Sequence, residues 1–181
     1  TKDKNLTANP ADANFSVQSG EIRSRGVELE AKAAVNANIN VTASYTYTDA
    51  KYTHDTTFEG KRPVEVPANM ASLWADYTFH ETALSGLTIG SGVRSVGASS
   101  SFYTANGVNA YKANQAFNVS SYTLVDATVK YDLGRFGMPG SSVGLNINNL
   151  LDREYVASCY RDYACYWGSD RQVVATATFR F

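Results

Sequence analysis

Apolar and polar residues alternate along most of this sequence. Between Val27 and Val35, aliphatic residues alternate with Glu28, Glu30 and Lys32. A period of two places successive side chains on opposite faces of a β-strand. Six further runs repeat the pattern, over residues 39–48, 71–79, 87–94, 125–133, 143–148 and 171–181. The sequence therefore predicts an antiparallel, all-β fold of about seven strands and no amphipathic helix.

The segments between the predicted strands fall into two length classes. Those around residues 36–38, 81–86 and 134–140 are short, whereas those at 53–67, 99–118 and 153–169 are long, polar and rich in aromatic residues. Short and long segments alternate strictly, so one end of the sheet carries tight turns and the other carries large loops. This asymmetry is typical of an outer-membrane β-barrel. A soluble β-sandwich would explain the alternation but not the segregation of loop lengths.

Aromatic residues on the predicted apolar face cluster towards the strand ends. Near the short-turn end they are Tyr77, Phe79, Tyr131, Phe179 and Phe181. Tyr45 and Tyr47 lie towards the opposite end. Two such rings are expected of a barrel in lipid, and a wet, polar lumen would explain a mean hydropathy of −0.28. Ordinary sandwich-core aromatics are the alternative.

The net charge and the number of predicted strands limit the classes of protein that fit this sequence. A formal net charge of −1 disfavours nucleic acid as a partner. Seven strands with free edges cannot stand in a bilayer, because unpaired backbone groups are costly there. We therefore expect further strands upstream of Thr1, with residues 1–14 forming an extracellular loop and residues 15–181 forming the strands, periplasmic turns and extracellular loops. Pro10 and scattered Asn and Asp residues predict a loop there rather than an eighth strand.

Two cysteines lie close together in the last long loop, "SCYRDYACYWG". Cys159 and Cys165 are predicted to form a disulfide, as expected of an exported protein, worth about 2 kcal/mol by loop-closure estimates. A metal site is the alternative, but no histidine lies nearby and the spacing matches no common zinc pattern. We predict no metal site.

The same loop carries four aromatic residues that are candidates for ligand contact: Tyr160, Tyr163, Tyr166 and Trp167. Rigid, amphipathic side chains on a pinned loop suit binding, although packing of loop against loop would also explain them. A catalytic site is not expected. His54 and His80 are predicted at opposite ends of the sheet, so no Ser/His/Asp site can be assembled from them.

Five segments resemble a known family: "GEIRSRGVELEAKA", "VPANMASLWADYTF", "SYTLVDATVKYDL", "NINNLLDREYVASCY" and "RQVVATATFRF". They are similar to the C-terminal barrel strands of TonB-dependent siderophore receptors, most of all to the ferric hydroxamate receptors of the ferrichrome and ferrioxamine type. The resemblance implies a transmembrane barrel of about 22 strands with an internal plug. This chain would supply about the last seven strands, without the plug.

The resemblance also implies function and partners. The protein would be a receptor of the bacterial outer membrane that imports an iron–siderophore complex, energised through TonB, with no covalently bound cofactor. The implied partners are the plug, TonB through the missing N-terminal part, outer-membrane lipid and lipopolysaccharide, and phages or colicins. The plug would be held by charged residues facing the lumen, namely Glu28, Glu30, Lys32, Asp76, Arg94, Asp126, Lys130 and Arg180. A small structural or adhesive outer-membrane barrel is the alternative.

Overall fold

The computed structural model describes residues 2–9, 11–55, 58–81, 83–101, 103–105, 108–110 and 117–180. The long strands are β1 (Lys2–Asn9), β2 (Asp12–Ala34), β3 (Ile39–His54), β4 (Asn69–Thr78), β5 (Leu87–Val96), β10 (Tyr122–Asp132), β11 (Ser142–Asn148) and β14 (Gln172–Thr178). Short strands lie within the long connections: β6 (Ser99–Ser101), β7 (Tyr103–Ala105), β8 (Val108–Ala110), β9 (Phe117–Val119), β12 (Val156–Arg161) and β13 (Ala164–Trp167). A single 3₁₀ turn, Gly134–Phe136, is described between β10 and β11.

The long strands form one eight-stranded antiparallel sheet in the order β1-β2-β3-β4-β5-β10-β11-β14. Strands that neighbour each other in the sheet follow each other in the chain, apart from the short strands inside the connections. The three predicted short turns lie at one end of the sheet and the long connections lie at the other, as the loop lengths predicted, while the tight β1–β2 turn lies at the same end as the long connections. None of the described residues forms a helix long and apolar enough to cross a membrane.

The strand register separates a polar face from an apolar face, as the alternation predicted. Along one row of the polar face, Asn40 pairs with Asp76, Asp76 with Gly90 and Gly90 with Thr128. The other face carries large apolar side chains that are mainly exposed, including Leu29 at 61% and Leu73 at 50%. No protein layer covers this face within the described part of the chain, which is the arrangement of a barrel wall facing lipid.

The segment predicted as an extracellular loop, residues 1–14, contains a strand that the sequence did not predict. Residues Lys2–Asn9 form strand β1, which pairs antiparallel with the first half of β2, from Lys2 opposite Arg23 to Asn9 opposite Asp12. This hairpin extends beyond the part of the sheet that has one polar and one apolar face. Both faces of the hairpin carry polar residues, so its sequence shows no alternation. Its two strands pair through backbone hydrogen bonds. The side-chain oxygens of Asn9 and Asp12 cap the turn by accepting the N–H groups of Ala11 and Asn14.

Aromatic residues lie at the short-turn end of the sheet, as predicted. The rings of Tyr77 and Phe79 meet edge to face, 4.7 Å apart, and the ring of Tyr131 lies 6.0 Å from that of Phe136. The prediction for Phe181 lies outside the described residues.

Two glycines of β5 make room for a tryptophan on the polar face. A Cβ atom at Gly90 would lie 2.8 Å from Cζ2 of Trp74, and one at Gly92 would lie 2.6 Å from Cε3 of the same indole. Both distances are too short for real side chains. The glycines therefore let the Trp74 ring lie flat against the neighbouring strand, a role for β5 that the sequence did not reveal.

Candidate ligand-binding site

A disulfide-closed hairpin dominates the long connection between β11 and β14. Strands β12 and β13 pair antiparallel, with Cys159 directly opposite Cys165. These two residues form the predicted disulfide, and their Cα atoms are 4.0 Å apart. Cys159 is fully buried, because the hairpin packs against the small β6–β9 sheet of the preceding long loop. Loop therefore packs on loop around the cysteine pair.

The four predicted contact residues lie on this hairpin and are largely exposed: Tyr160 at 42%, Tyr163 at 67%, Tyr166 at 64% and Trp167 at 72%. Tyr166 is opposite Ser158 and Trp167 is opposite Val156, so both lie nearer the base of the hairpin than Tyr160 and Tyr163. The four residues share one element but form no single cluster. Exposure at this level leaves their rings available for contact with a ligand.

Arg161 joins the two tyrosines nearest the tip. Its Nη1 donates a hydrogen bond to the Tyr163 hydroxyl oxygen at 2.6 Å. The guanidinium carbon also lies 5.3 Å from the ring centre of Tyr160 and 5.9 Å from that of Tyr163, within cation–π range. The hydrogen bond to Tyr163 raises the pKa of Arg161, which stays positively charged. Sequence reasoning did not assign a role to this arginine.

The base of the connection is closed by residues of the "NNLLDREY" motif. Asn149 is almost fully buried. Its side-chain amide donates to the carbonyl oxygens of Arg153, at 2.9 Å, and Ser169, at 3.1 Å, and its oxygen accepts from the Arg153 N–H. The Asp152 carboxylate accepts a hydrogen bond from the N–H of Arg171 at 2.8 Å. The two ends of the connection are thus fastened together.

Positive backbone φ angles make this closure possible. Asn149 has a φ of 52° and Asp152 a φ of 53°. Asn and Asp are the non-glycine residues that best tolerate this conformation, because their short polar side chains can hydrogen-bond locally. The sequence signal was therefore present in the motif, although its role as a closure of the loop base was not predicted.

Asp126 ties the closed base to the wall of the sheet. Its carboxylate accepts the Asn149 N–H at 2.9 Å and two hydrogen bonds from the Arg94 guanidinium, of which the one from Nη2 measures 3.0 Å. Asp126 is 8% exposed. Its charge is satisfied by both partners, so it is a structural anchor on the polar face at the long-loop end.

Two tyrosines lie next to this anchor at the long-loop end of the sheet. The rings of Tyr122 and Tyr155 contact each other in a tilted arrangement, with their centres 4.3 Å apart, and the Gly168 N–H donates to the carbonyl oxygen of Tyr155. Gly168 lies directly against the Tyr155 ring, so a Cβ atom at this position would overlap the ring atoms. The ring is therefore held between β10 and the end of the hairpin.

Other predicted polar residues occupy separate places. Glu28, Glu30, Lys32, Asp76 and Lys130 lie on the polar face with Arg94 and Asp126. Glu30 and Lys32 form an exposed ion pair of 3.1 Å. Arg180 lies against Gly140 at the short-turn end. His54 ends β3 at the long-loop end, whereas His80 follows β4 at the other.

No cluster of three or more His, Cys, Asp or Glu residues that could hold a metal ion occurs among the residues that the structure describes. Hydrogen-bond donors, acceptors and aromatic faces make up the site instead. Such groups can bind a ligand but supply no nucleophile paired with a base.

Comparison with known proteins identifies the family. Residues 1–150 match the family model described as "TonB dependent receptor-like, beta-barrel". The chain belongs to the TonB-dependent receptor family. It is therefore part of an antiparallel barrel of the bacterial outer membrane, whose polar face lines the lumen.

Relatives and a solved structure agree with this assignment. The chain is 60% identical over 181 residues to the ferrichrome outer membrane transporter/phage receptor of Escherichia coli K12, covering all of this chain and 23% of that protein. It is 42% identical over 173 residues to the ferrioxamine B receptor of Salmonella typhimurium LT2, covering 95% of this chain and 23% of the receptor. The pyoverdine receptor FpvA of Pseudomonas aeruginosa has the same fold, with a TM-score of 0.74 and 22% identity over 100% of this chain and 25% of FpvA.

The chain thus spans about a quarter of the length of the proteins it matches. The two curated relatives are named as a transporter and a receptor rather than as enzymes. This agrees with the expectation that the family performs transport and not bond chemistry.

Proposed function

We propose that the protein containing this chain imports ferric hydroxamate siderophores across the outer membrane, with energy supplied through TonB. The observation that carries this proposal is the 60% identity, over all 181 residues, to a ferrichrome transporter. The 42% identity to a ferrioxamine B receptor supports the same ligand class. The ferric siderophore is the transported ligand and not a resident cofactor.

The extracellular hairpin supports ligand capture by aromatic contact. Tyr160, Tyr163, Tyr166 and Trp167 are exposed on an element whose tip is closed by a disulfide and whose base is fastened by Asn149 and Asp152. A rigid hairpin loses little conformational entropy on binding, which favours affinity. We assign these four residues as the loop contacts of the siderophore.

The lumen face supports interaction with a plug. Its charged side chains, among them Glu28, Asp76 and Lys130, lie in rows separated by hydroxyl and amide groups. Such a surface suits many individually weak ion pairs and hydrogen bonds with a folded domain. We assign the plug and TonB as partners of the whole protein, and outer-membrane phospholipid and lipopolysaccharide as the surroundings of the apolar face.

Phages or colicins are further partners of the extracellular loops in this proposal. The Escherichia coli relative is named as a phage receptor as well as a transporter. The exposed tyrosines and tryptophan of the hairpin are the side chains that dominate protein–protein contacts.

The alternative function, a small structural or adhesive barrel, needs an eighth spanning strand near the N-terminus. Strand β1 is present, but it pairs only with Asp12–Arg23. It does not run along Ser24–Ala34, which is the part of β2 with one polar and one apolar face. The hairpin therefore supplies no spanning strand, which favours the receptor.

Binding and uptake by the full-length protein test the proposal. Outer membranes carrying it should bind ferrichrome or ferrioxamine B, and cells should accumulate the radiolabelled iron only when TonB is present. A full-length protein that binds neither complex, or iron uptake that persists without TonB, would contradict the proposal.

A further inference from the structure

A polar cavity lies in the lumen wall directly beneath the disulfide hairpin. Its volume is about 260 Å³, and its lining includes Arg94, Leu124, Asn148, Tyr155, Asp170 and Gln172. These residues come from β5, β10, β11, the base of the last long connection and β14. The cavity is thus placed where a ligand held by the extracellular loops would meet the top of the barrel wall.

Two carboxamides form the floor of this cavity. Asn148 and Gln172 are direct register partners on β11 and β14, and both side chains are exposed to the lumen. In the part of the chain that the structure describes, neither carboxamide makes a hydrogen bond within the protein. Each offers two N–H donors and one acceptor oxygen, so together they can pair with the carbonyl and amide groups of a ligand.

The lining of the cavity carries one charge of each sign, on Arg94 and Asp170. The Arg94 guanidinium is already paired with Asp126, whereas Asp170 has no ion-pair partner among the described residues. Formal charges of the lining therefore balance. Such a lining suits a ligand that is held by hydrogen bonds rather than by ion pairs.

The cavity and the hairpin are held in a fixed relation. Asn149 lines the cavity and also fastens the base of the hairpin through Ser169 and Arg153. Tyr155 also lines the cavity, and its ring contacts that of Tyr122. The base of the aromatic hairpin and the cavity thus share Asn149 and Tyr155.

We propose that this cavity is a second, polar subsite for the transported ligand. Asn148 and Gln172 hydrogen-bond the carbonyl and amide periphery of a ferric hydroxamate. The subsite deepens the proposed import of ferric hydroxamates and rests on it.

Equilibrium binding of ferrichrome to the purified full-length receptor in detergent tests the subsite. The double variant Asn148→Ala/Gln172→Ala removes both carboxamides, and Kd should rise about ten-fold, because the hydrogen bonds of both side chains to the ligand are lost together. Gln172→Glu keeps the size of the side chain, removes its N–H donors and adds a negative charge, so it should also raise Kd. Thr176→Ala, on the same face of β14 but outside the cavity, is the matched control and should leave Kd unchanged.

The outcomes separate this proposal from the one on which it rests. Unchanged Kd in the double variant, or in Gln172→Glu, overturns the subsite while wild-type binding of ferrichrome upholds the transport function. Failure of the wild-type receptor to bind any ferric hydroxamate overturns both. Heat-modifiable migration of each variant on gels establishes that the barrel is folded, so that a raised Kd in the folded double variant with an unchanged control supports the subsite.

Discussion

The carboxylate of Asp126 accepts a hydrogen bond from the main-chain N–H of Asn149, 2.9 Å away and 23 residues later in the chain. One partner belongs to the barrel wall and the other to the base of the last long connection. Because Asp126 on β10 also receives two hydrogen bonds from Arg94 on β5, a single side chain joins two strands and the connection that follows β11.

Replacing Asp126 by alanine should lower the free energy of unfolding by about 2 kcal/mol, because hydrogen bonds to a largely buried charged group are lost together. Urea unfolding of the full-length receptor, followed by heat-modifiable migration, measures this change. Asp170→Ala, an exposed carboxylate in the same region, is the control and should stay within about 0.5 kcal/mol of wild type. Equal stability of the two variants would argue against the anchoring role.

Removing the disulfide should loosen the extracellular hairpin without unfolding the wall. In Cys159→Ser/Cys165→Ser, the hairpin should lose about 2 kcal/mol of local stability, as expected for a short closed loop. Limited proteolysis on intact cells should then cut the hairpin faster, whereas the gel mobility of the folded barrel should not change. Reduction of the wild-type protein provides the control and should reproduce the faster cleavage.

Gly90 should tolerate a side chain only when the side chain at Trp74 is also replaced by a smaller one. The nearest atoms to an added Cβ belong to the side chains of Trp74, Thr128 and Asp76. Gly90→Ala should therefore destabilise the barrel by about 1–3 kcal/mol through overpacking, and the cost should shrink in a Trp74→Ala background.

A second glycine provides the control for this experiment. A Cβ at Gly144 would find its nearest neighbour at 3.6 Å, an ordinary contact, so Gly144→Ala should be nearly neutral. A double-mutant cycle on unfolding free energies measures the coupling between residues 90 and 74. Additive effects would mean that the indole does not occupy the space above Gly90.

Truncating the exposed aromatics of the hairpin should weaken siderophore binding. Tyr163→Ala and Trp167→Ala should each raise the Kd for ferrichrome about five- to ten-fold, because aromatic contacts contribute on the order of 1 kcal/mol each. Phe136→Ala removes an equally exposed aromatic at the periplasmic end and should leave Kd unchanged. Unaltered affinity in both hairpin variants would remove them from the ligand site.

Alternation predicted the two faces of the wall well because burial in lipid on one side and water on the other imposes a strict period of two. It could not predict β1, since the β1–β2 hairpin carries polar residues on both faces and therefore shows no alternation. The cysteine pair was predicted correctly because six residues of separation and an exported setting leave few other options.

The candidate site was only partly accessible from the sequence. The aromatic residues of the hairpin could be named because they are adjacent in the chain. The link from Arg94 through Asp126 to Asn149, and the pairing of Asn148 with Gln172, bring together residues 23 to 55 positions apart in the chain. Such proximity depends on strand register, which a single sequence does not supply.

The hydrogen bonds of Asn149 and Asp152 close the base of the last long connection, so a change at the hairpin tip is not transmitted to the barrel wall. Both ends of the connection meet at one fastened point, so extra residues placed between Arg161 and Ala164 would project outward and leave strands β11 and β14 in register. Exposed tips of this kind accept insertions readily. The tip is thus a suitable place to display a foreign peptide on the cell surface, at the expense of ligand capture but not of barrel assembly.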